Sequence, residues 1–501
     1  MTENLLNELK NRLYEAADLG HAASVLNWDM STYMPPKGAP QRGRAMATLN
    51  KLQHEKFTDP AVGNLLDQLE TALGGRPAED DAASLVRVTR REYDRAVKVP
   101  ASLVGEISEV TSALYDAWTR ARPANDFASL MPMLEKELDL FRQMANCFPG
   151  YQHISDPLIN FSDYGMSAES IRSLFAELRA GLVPIVKAIA AAGGVDDSPL
   201  HQLYPEQEQE SFGVEIIKDY GYDFERGRQD RTHHPFMTRF SGNDIRITTR
   251  FNENYLGDGL FSTLHEAGHA LYEQGITPSF DGTPLGGGTS TGVHESQSRL
   301  WENIVGRSHG FWSRYYSQLQ AIFPEQLNPV SLDEFYRAVN TSKPSLIRVD
   351  ADEVTYNLHV MIRFDLELKL LEGSLAVKDL PEAWQSRYAS DLGLTAPDDR
   401  DGVLQDVHWY AGIFGYFQGY ALGNLMSAQF YDAALRANPS IPDEIAQGEF
   451  AGLRTWLTEN IYQHGSKFTA DELLHRVTGE GLGIKAWIKY IQGKYGGIYK
   501  L

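Results

Sequence analysis

Apolar residues recur at helical spacing along most of the chain. Leu5, Leu6, Leu9 and Leu13 form one stripe, Leu130, Leu134, Leu138 and Phe141 a second, and Ile171, Leu174, Phe175, Leu178 and Leu182 a third. Residues three or four apart share one face of a helix, so each stripe predicts an amphipathic helix with its apolar side in a core. Ser167 stands just ahead of the third stripe, where its hydroxyl can cap the helix. The period continues through Val354, Leu358, Met361 and Ile362, and through Leu453, Trp456, Leu457 and Ile461. The expected fold is mainly α. One segment departs from it: β-rich runs at Pro235–Phe240 and Ile245–Phe251 flank Ser241-Gly242-Asn243-Asp244, which reads as a hairpin.

Composition narrows the class. A chain of 501 residues with long stretches free of low complexity points to one large domain, 1–501, with a sizeable core. No run approaches the ~18 to 20 uninterrupted apolar residues of a membrane span, and Met1-Thr2-Glu3-Asn4 lacks a basic, then apolar, export signal. A cytoplasmic protein is expected, and the single cysteine, Cys147, suits that reducing compartment. The formal net charge of −21 argues against nucleic acid or anionic membrane as partner and says little about peptides.

The strongest chemical signal is His265-Glu266-Ala267-Gly268-His269, an HExxH run in a credible helix that Gly275 is placed to end. Histidines four apart on a helix can reach one cation from the same side, and neutral imidazole is a good zinc ligand. Glu266, between them, can take a proton from a metal-bound water. Catalytic zinc usually takes a third protein ligand. After a loop with Gly286-Gly287-Gly288, the segment His294-Glu295-Ser296-Gln297-Ser298-Arg299-Leu300-Trp301-Glu302 offers two carboxylates. Glu295 is the first candidate; Glu302 can ligate in its place or hydrogen-bond a ligand histidine from behind. The hairpin precedes the zinc helix directly, where an edge strand can pair with a peptide backbone or simply cover the helices.

With these elements in order, the chain resembles the Taq-type zinc carboxypeptidase family, the thermostable-carboxypeptidase relatives of bacteria and archaea. The likeness runs over nearly the whole chain. It rests on Asp244-Ile245-Arg246-Ile247-Thr248, His265 to His269, His294-Glu295-Ser296-Gln297, Ile347-Arg348-Val349-Asp350-Ala351-Asp352 and Gly402-Val403-Leu404-Gln405-Asp406-Val407-His408-Trp409, with Trp28-Asp29 and Tyr33-Met34-Pro35-Pro36 near the start. The resemblance implies a large helical metallopeptidase fold with a long substrate groove and a small β-hairpin or sheet beside the zinc helix. It also implies a homodimer, His265, His269 and Glu295 as zinc ligands, and Glu266 as general base and acid. The implied activity removes C-terminal residues from peptides with broad specificity and poor action at proline. One departure stands out: where the family pattern leads us to expect proline, Gly415-Tyr416-Phe417-Gln418-Gly419-Tyr420 has Gln418, which bears on how Tyr420 is held.

A carboxypeptidase must hold a free α-carboxylate, and the planar fork of arginine does this best. Arg348 is the first candidate and Arg246 the second; either can instead pair internally with Asp350, Asp352 or Asp244. Charge developing on the attacked carbonyl oxygen calls for a donor besides the metal, and His408 and Tyr420 are the candidates, with Tyr416 in reserve along the substrate path. Asp352 reads as a cap or first-turn acid. His233 and His234 read as structural or groove-lining, since adjacent residues do not share a face. The working expectation is a Zn2+ carboxypeptidase acting on peptides, whose ligands also accept Co2+. A zinc endo-oligopeptidase of similar helical, grooved build is the alternative. A peptide-binding scaffold with a vestigial site is disfavoured, because no ligand of the pattern is missing.

Overall fold

The computed structural model describes residues 2–501 and is built of helices around one three-stranded sheet. Two apolar cores organise it. The smaller belongs to the N-terminal helices Thr2–Thr32, Pro60–Leu73 and Asp81–Lys98, which bury Leu9, Leu13, Leu66, Leu69 and Leu85 among themselves. Asp59 and Asp80 start the second and third of these helices by accepting from the Ala61 and Ala83 amides at 2.8 and 2.9 Å. Ile276, Phe280 and Leu285, from the body of the protein, complete this core.

The larger core collects the stripes read from the sequence. Leu134, Leu138 and Phe141 are buried on Met131–Asn146, with Leu130 in the short turn before it. On Ala168–Ala192, Ile171, Phe175, Leu178 and Leu182 are buried, Leu174 lies at the margin, and Ser167 caps the helix reciprocally with Ser170. Tyr356–Glu372 is buried on almost every side. Asp352 ties down the turn that leads into it, accepting from the amides of Val354 (2.9 Å) and Thr355 (3.1 Å).

The hairpin forms as expected: β2 (Phe236–Ser241) pairs antiparallel with β3 (Asp244–Thr249) around Gly242-Asn243. A third strand, β1 (Gln229–Arg231), was not expected. It pairs parallel to the far side of β3, giving the order β1-β3-β2 and leaving β2 at an edge. Three residues are too few to show an alternating pattern, so pairing with a distant strand decides their conformation.

Behind the hairpin runs the helix Leu256–Gln274, which carries the HExxH residues. Its small residues have a specific use. A Cβ added at Gly268 would lie 2.7 Å from the Gln297 carbonyl oxygen and from the Ser298 Cα, so the helix Thr291–Arg299 packs here main chain to main chain. On its other side, Gly423 of Phe417–Ala437 sits where a Cβ would be 2.6 Å from the Cβ and Cγ of Glu295. Thr291–Arg299 is thereby clamped between two glycine faces and continues into a π-helical turn, Leu300–Val305. Gly275 ends the HExxH helix, but with an ordinary right-handed φ of −84°; glycine is needed because a side chain would strike Tyr462.

Gly268→Ala is expected to destabilise the protein by about 1–3 kcal/mol, since main-chain atoms and not a flexible side chain must yield. Gly43→Ala, with nothing within 4 Å of its added Cβ, is the control. Urea unfolding compares the two, and equal midpoints would refute the close-packing account.

Candidate active site

The glycine clamp sets Glu295 opposite His265 and His269. The three side chains offer ligand atoms that all lie within 4.8 Å of one another, with Glu295 Oε2 3.7 Å from His265 Nε2 and 3.5 Å from His269 Nε2. Each imidazole is oriented from behind. His265 donates Nδ1–H to Glu302 Oε2 at 2.9 Å. His269 Nδ1 lies 2.7 Å from His294 Nδ1, whose Nε2 lies 2.8 Å from Glu273 Oε1. A carboxylate only accepts, so His294 donates from Nε2, accepts from His269 at Nδ1, and leaves His269 Nε2 with a lone pair facing the cluster. Arg299 grips Glu295 Oε1 at 2.7 Å and Glu302 Oε2 at 3.2 Å. Of the two carboxylates read from the sequence, Glu295 therefore joins the cluster and Glu302 stands behind His265.

The donors suit a divalent metal ion. Burial lowers the pKa of His269 to about 4, keeping it neutral. Burial opposes ionisation of Glu295, but Arg299 and the histidines outweigh it and hold the carboxyl far below its ordinary value. Likewise Glu302, against burial, is held at about 2 by Arg299 and the His265 hydrogen bond. In His265 burial disfavours the charged ring, yet Glu295 and Glu302 raise its pKa, so a cation binding there replaces a proton. Two imidazole nitrogens and one carboxylate oxygen are an ordinary set for a catalytic metal with a free position. Glu266, buried in the same wall, has its pKa pushed up by burial to about 7.

His265, Glu266, His269, His294 and Glu295 line a cavity of about 570 Å³, a usual size for a ligand site. Its other walls include Pro235, Phe236 and Met237 at the β2 edge, His234, and Tyr416 and Tyr420. His233 is not among the lining residues. Behind Tyr420 runs a buried polar chain. The Tyr420 hydroxyl lies 3.1 Å from His408 Nε2, and His408 Nδ1 lies 2.5 Å from Asp406 Oδ1. Burial lowers the pKa of His408, so the neutral ring donates to Asp406 and accepts from Tyr420. Asp406 also receives Arg348 Nε at 2.5 Å and Arg363 Nε at 2.7 Å. Arg348 thus has an internal partner, but it is Asp406 and none of the three acids expected.

Arg246 is not brought to the cavity. Its guanidinium stacks 4.5 Å from the Trp28 ring centroid, 4.8 Å from that of Phe240, and pairs with Asp244 through two 2.8 Å bonds. Gln418, the departure from the expected proline, is fully buried and holds the start of the Tyr420 helix in place. Its amide donates to the Gly415 carbonyl at 2.6 Å and to Ser162 Oγ at 2.9 Å, and reaches Asp163, whose other oxygen accepts from Gly292 at the start of the Glu295 helix. Sequence reasoning gave no role to Glu273, His294, Asp406 or Arg363. His294 and Asp406 stood inside motifs already singled out; nothing local marked Glu273 or Arg363.

Three comparisons bear on this geometry. The sequence pattern of the carboxypeptidase Taq (M32) metallopeptidases matches residues 8–495. The chain is 42% identical over 495 residues to thermostable carboxypeptidase 1 of Thermus thermophilus, covering 97% of each, and 34% identical to carboxypeptidase 1 of Bacillus subtilis, covering 99% of this chain and 98% of that one. The crystal structure of the M32 carboxypeptidase from Deinococcus radiodurans superposes with a TM-score of 0.96 at 51% identity, covering 99% of this chain and all of the other. With the His265, His269 and Glu295 cluster set in this helical frame, the chain belongs to the M32 family of metallocarboxypeptidases.

Proposed function

We propose that the protein is a zinc carboxypeptidase that removes C-terminal residues from peptides with broad specificity, with His265, His269 and Glu295 holding the metal. The observation that carries this reading is that cluster on the wall of a peptide-sized cavity; Arg348, like His408, is not among the cavity's lining residues and stands behind Tyr420. Asp406 carries one negative charge and faces two guanidinium groups. Arg363 is wholly buried and Arg348 nearly so. The Arg348 guanidinium donates to Asp406 and to the Tyr356 hydroxyl and lies 5.3 Å from the Tyr420 ring centroid, so Arg348 is the nearer of the two to the cavity that Tyr420 lines. A desolvated surplus cation is suited to a free α-carboxylate. The β2 edge, whose first residues line the cavity, supports broad specificity, since main-chain pairing does not depend on side-chain identity.

When bound, the metal supplies Lewis-acid polarisation and lowers the pKa of water in the site to about 7. Glu266 takes a proton from the attacking water and returns it to the leaving amine. The Tyr420 hydroxyl is already donated to His408, so Tyr416, whose ring lies 5.5 Å from that of Tyr420, is the freer donor toward the carbonyl oxygen. His408 and Asp406 then fix Tyr420 and Arg348 in place. Co2+ fits the same donors. The lone thiol Cys147 is compatible with a cytoplasmic home, and no described helix is long and apolar enough to cross a membrane. A homodimer is the assembly carried over from the family resemblance.

Mass spectrometry of one unblocked peptide should reveal stepwise loss of C-terminal residues, abolished by chelator and restored by Zn2+ or Co2+; internal cuts would move the assignment to an endo-oligopeptidase. Glu266→Gln should keep fold and metal content while kcat falls at least about 100-fold, and wild-type turnover would remove Glu266 from the mechanism. Arg348→Ala should raise KM for free peptides and erase the discrimination against C-terminally amidated ones, measured by steady-state kinetics on both; discrimination that survives assigns the carboxylate elsewhere.

A further inference from the structure

A second cavity, of about 690 Å³, opens between the helix Asp81–Lys98 and the segment from Phe148 to Tyr164. Phe161 lines both it and the metal cavity, and Ser162, the next residue, lines the metal cavity too. The helix Asp156–Ser162 is thus a shared wall, and the two spaces adjoin at Phe161.

Charge is unevenly spread in this second cavity. Arg90 faces Glu70 at 3.1 Å, Asp94 at 3.7 Å and the close carboxylate of Asp67, so acids outnumber this cation. For the cations beside Phe161 and Tyr164 the balance reverses. Arg91 and Arg95 share one carboxylate, Glu92, at 2.8 and 3.2 Å. Lys98 has no carboxylate within 4 Å among the described residues and stands 6.0 Å from the Phe148 ring. Asp156, the acid on the opposite wall, is taken up by the amides of His153 (2.9 Å) and Ala168 (2.8 Å). Burial penalises the Arg95 cation and Glu92 offsets this only in part. With Arg95 also donating to the Asn160 carbonyl, Arg91, Arg95 and Lys98 set three cations against the single carboxylate of Glu92, a surplus that favours anions in a chain of net charge −21.

Aromatic rings frame these cations. The Arg91 guanidinium lies 4.6 Å from the Tyr164 centroid, and that of Arg95 lies 5.1 Å from Tyr164 and 5.4 Å from Phe161. Both rings are more than 40% exposed, unusual for residues of their size.

We propose that Arg91, Arg95 and Lys98, framed by Phe161 and Tyr164, form a subsite for an acidic side chain located upstream in the peptide whose C-terminus occupies the metal cavity. This rests on the carboxypeptidase reading above and adds a preference to it. An extended peptide advances about 3.3 Å per residue and places alternate side chains on one face, so it can present an aspartate or glutamate past Phe161 while its terminus stays at the metal. Short substrates end before the subsite and are indifferent to it.

The test uses N-terminally labelled octapeptides of identical C-terminal half, with the upstream half carrying Asp and Glu, or Asn and Gln in their place, alongside an N-acylated dipeptide. In the wild-type holoenzyme the acidic octapeptide should have kcat/KM about three- to tenfold higher, the range for one or two solvent-accessible ion pairs, expressed in KM and diminishing as salt is raised. Arg91→Ala/Lys98→Ala should abolish that advantage and leave dipeptide turnover unchanged. Equal rates for the two octapeptides, or an advantage that persists in the double variant, overturns the subsite. Fluorescence anisotropy of the same peptides on chelator-treated protein reads the preference without turnover. A protein that cleaves none of the substrates would therefore refute the carboxypeptidase reading while binding still decides this one.

Discussion

Between Gly268 and the Gln297–Ser298 backbone there is no room for even a methyl group, and the active site follows from that contact. Helices normally meet through interdigitated side chains, at interaxial distances of about 8–10 Å. Here the meeting of main chain with main chain draws the Glu295 helix close enough for one carboxylate oxygen to come within 4 Å of both imidazole Nε2 atoms. Gly423 closes the other side, and the π-helical turn that follows carries Glu302, the residue that orients His265. The two variable positions of the HExxH run are therefore not free: Ala267 is fully buried and Gly268 must stay small.

Much of this architecture was legible from the sequence because it is local. A helix stripe repeats within a few turns, a cap sits next to what it caps, and Gly242-Asn243 announces its own turn, so Ser167, the core residues of Ala168–Ala192 and the hairpin were all readable. That His265 and His269 share a face was readable for a similar reason, whereas Glu295 stands on another helix and was one of two candidate carboxylates until the fold brought it to the histidines. What could not be read depends on distant partners. β1 exists only because β3 is beside it. The tautomer of His269 is set through His294 by Glu273, one turn beyond on the same helix but pointing to another neighbour. Arg363 lies in a helix so thoroughly buried that no polar face marks it, and Asp406 gains meaning only from the two arginines that converge on it. The π turn spans Leu300–Val305, a mostly apolar run with nothing in its composition to separate it from an ordinary helix.

The acids around the site, Glu266 apart, are all committed. Glu295 and Glu302 share Arg299, Glu273 faces Arg239 at 3.2 Å, and Asp406 is held by Arg348 and Arg363. Buried charges of this kind are costly when a partner is lost, and each arginine here bridges separate elements or successive turns, so its removal leaves an uncompensated acid in the interior. A chain with a large excess of negative charge thus spends its buried arginines where carboxylates must stay ionised and aimed. Glu266 differs from these acids: no arginine faces it, and burial raises its pKa.

The small core of the N-terminal helices has a further consequence. It is a separate apolar cluster, tied to the body by Ile276, Phe280 and Leu285 in the loop after the HExxH helix. Stability within a protein is not uniform, and contiguous units with cores of their own open at free energies below that of global unfolding. The wall bearing Arg91 and Lys98 belongs to such a unit, whereas the histidines and Glu295 belong to the main core. The chain is accordingly built in two apolar parts, and an opening confined to the smaller, with Pro60–Leu73 and Asp81–Lys98, would leave the glycine clamp of the main core intact.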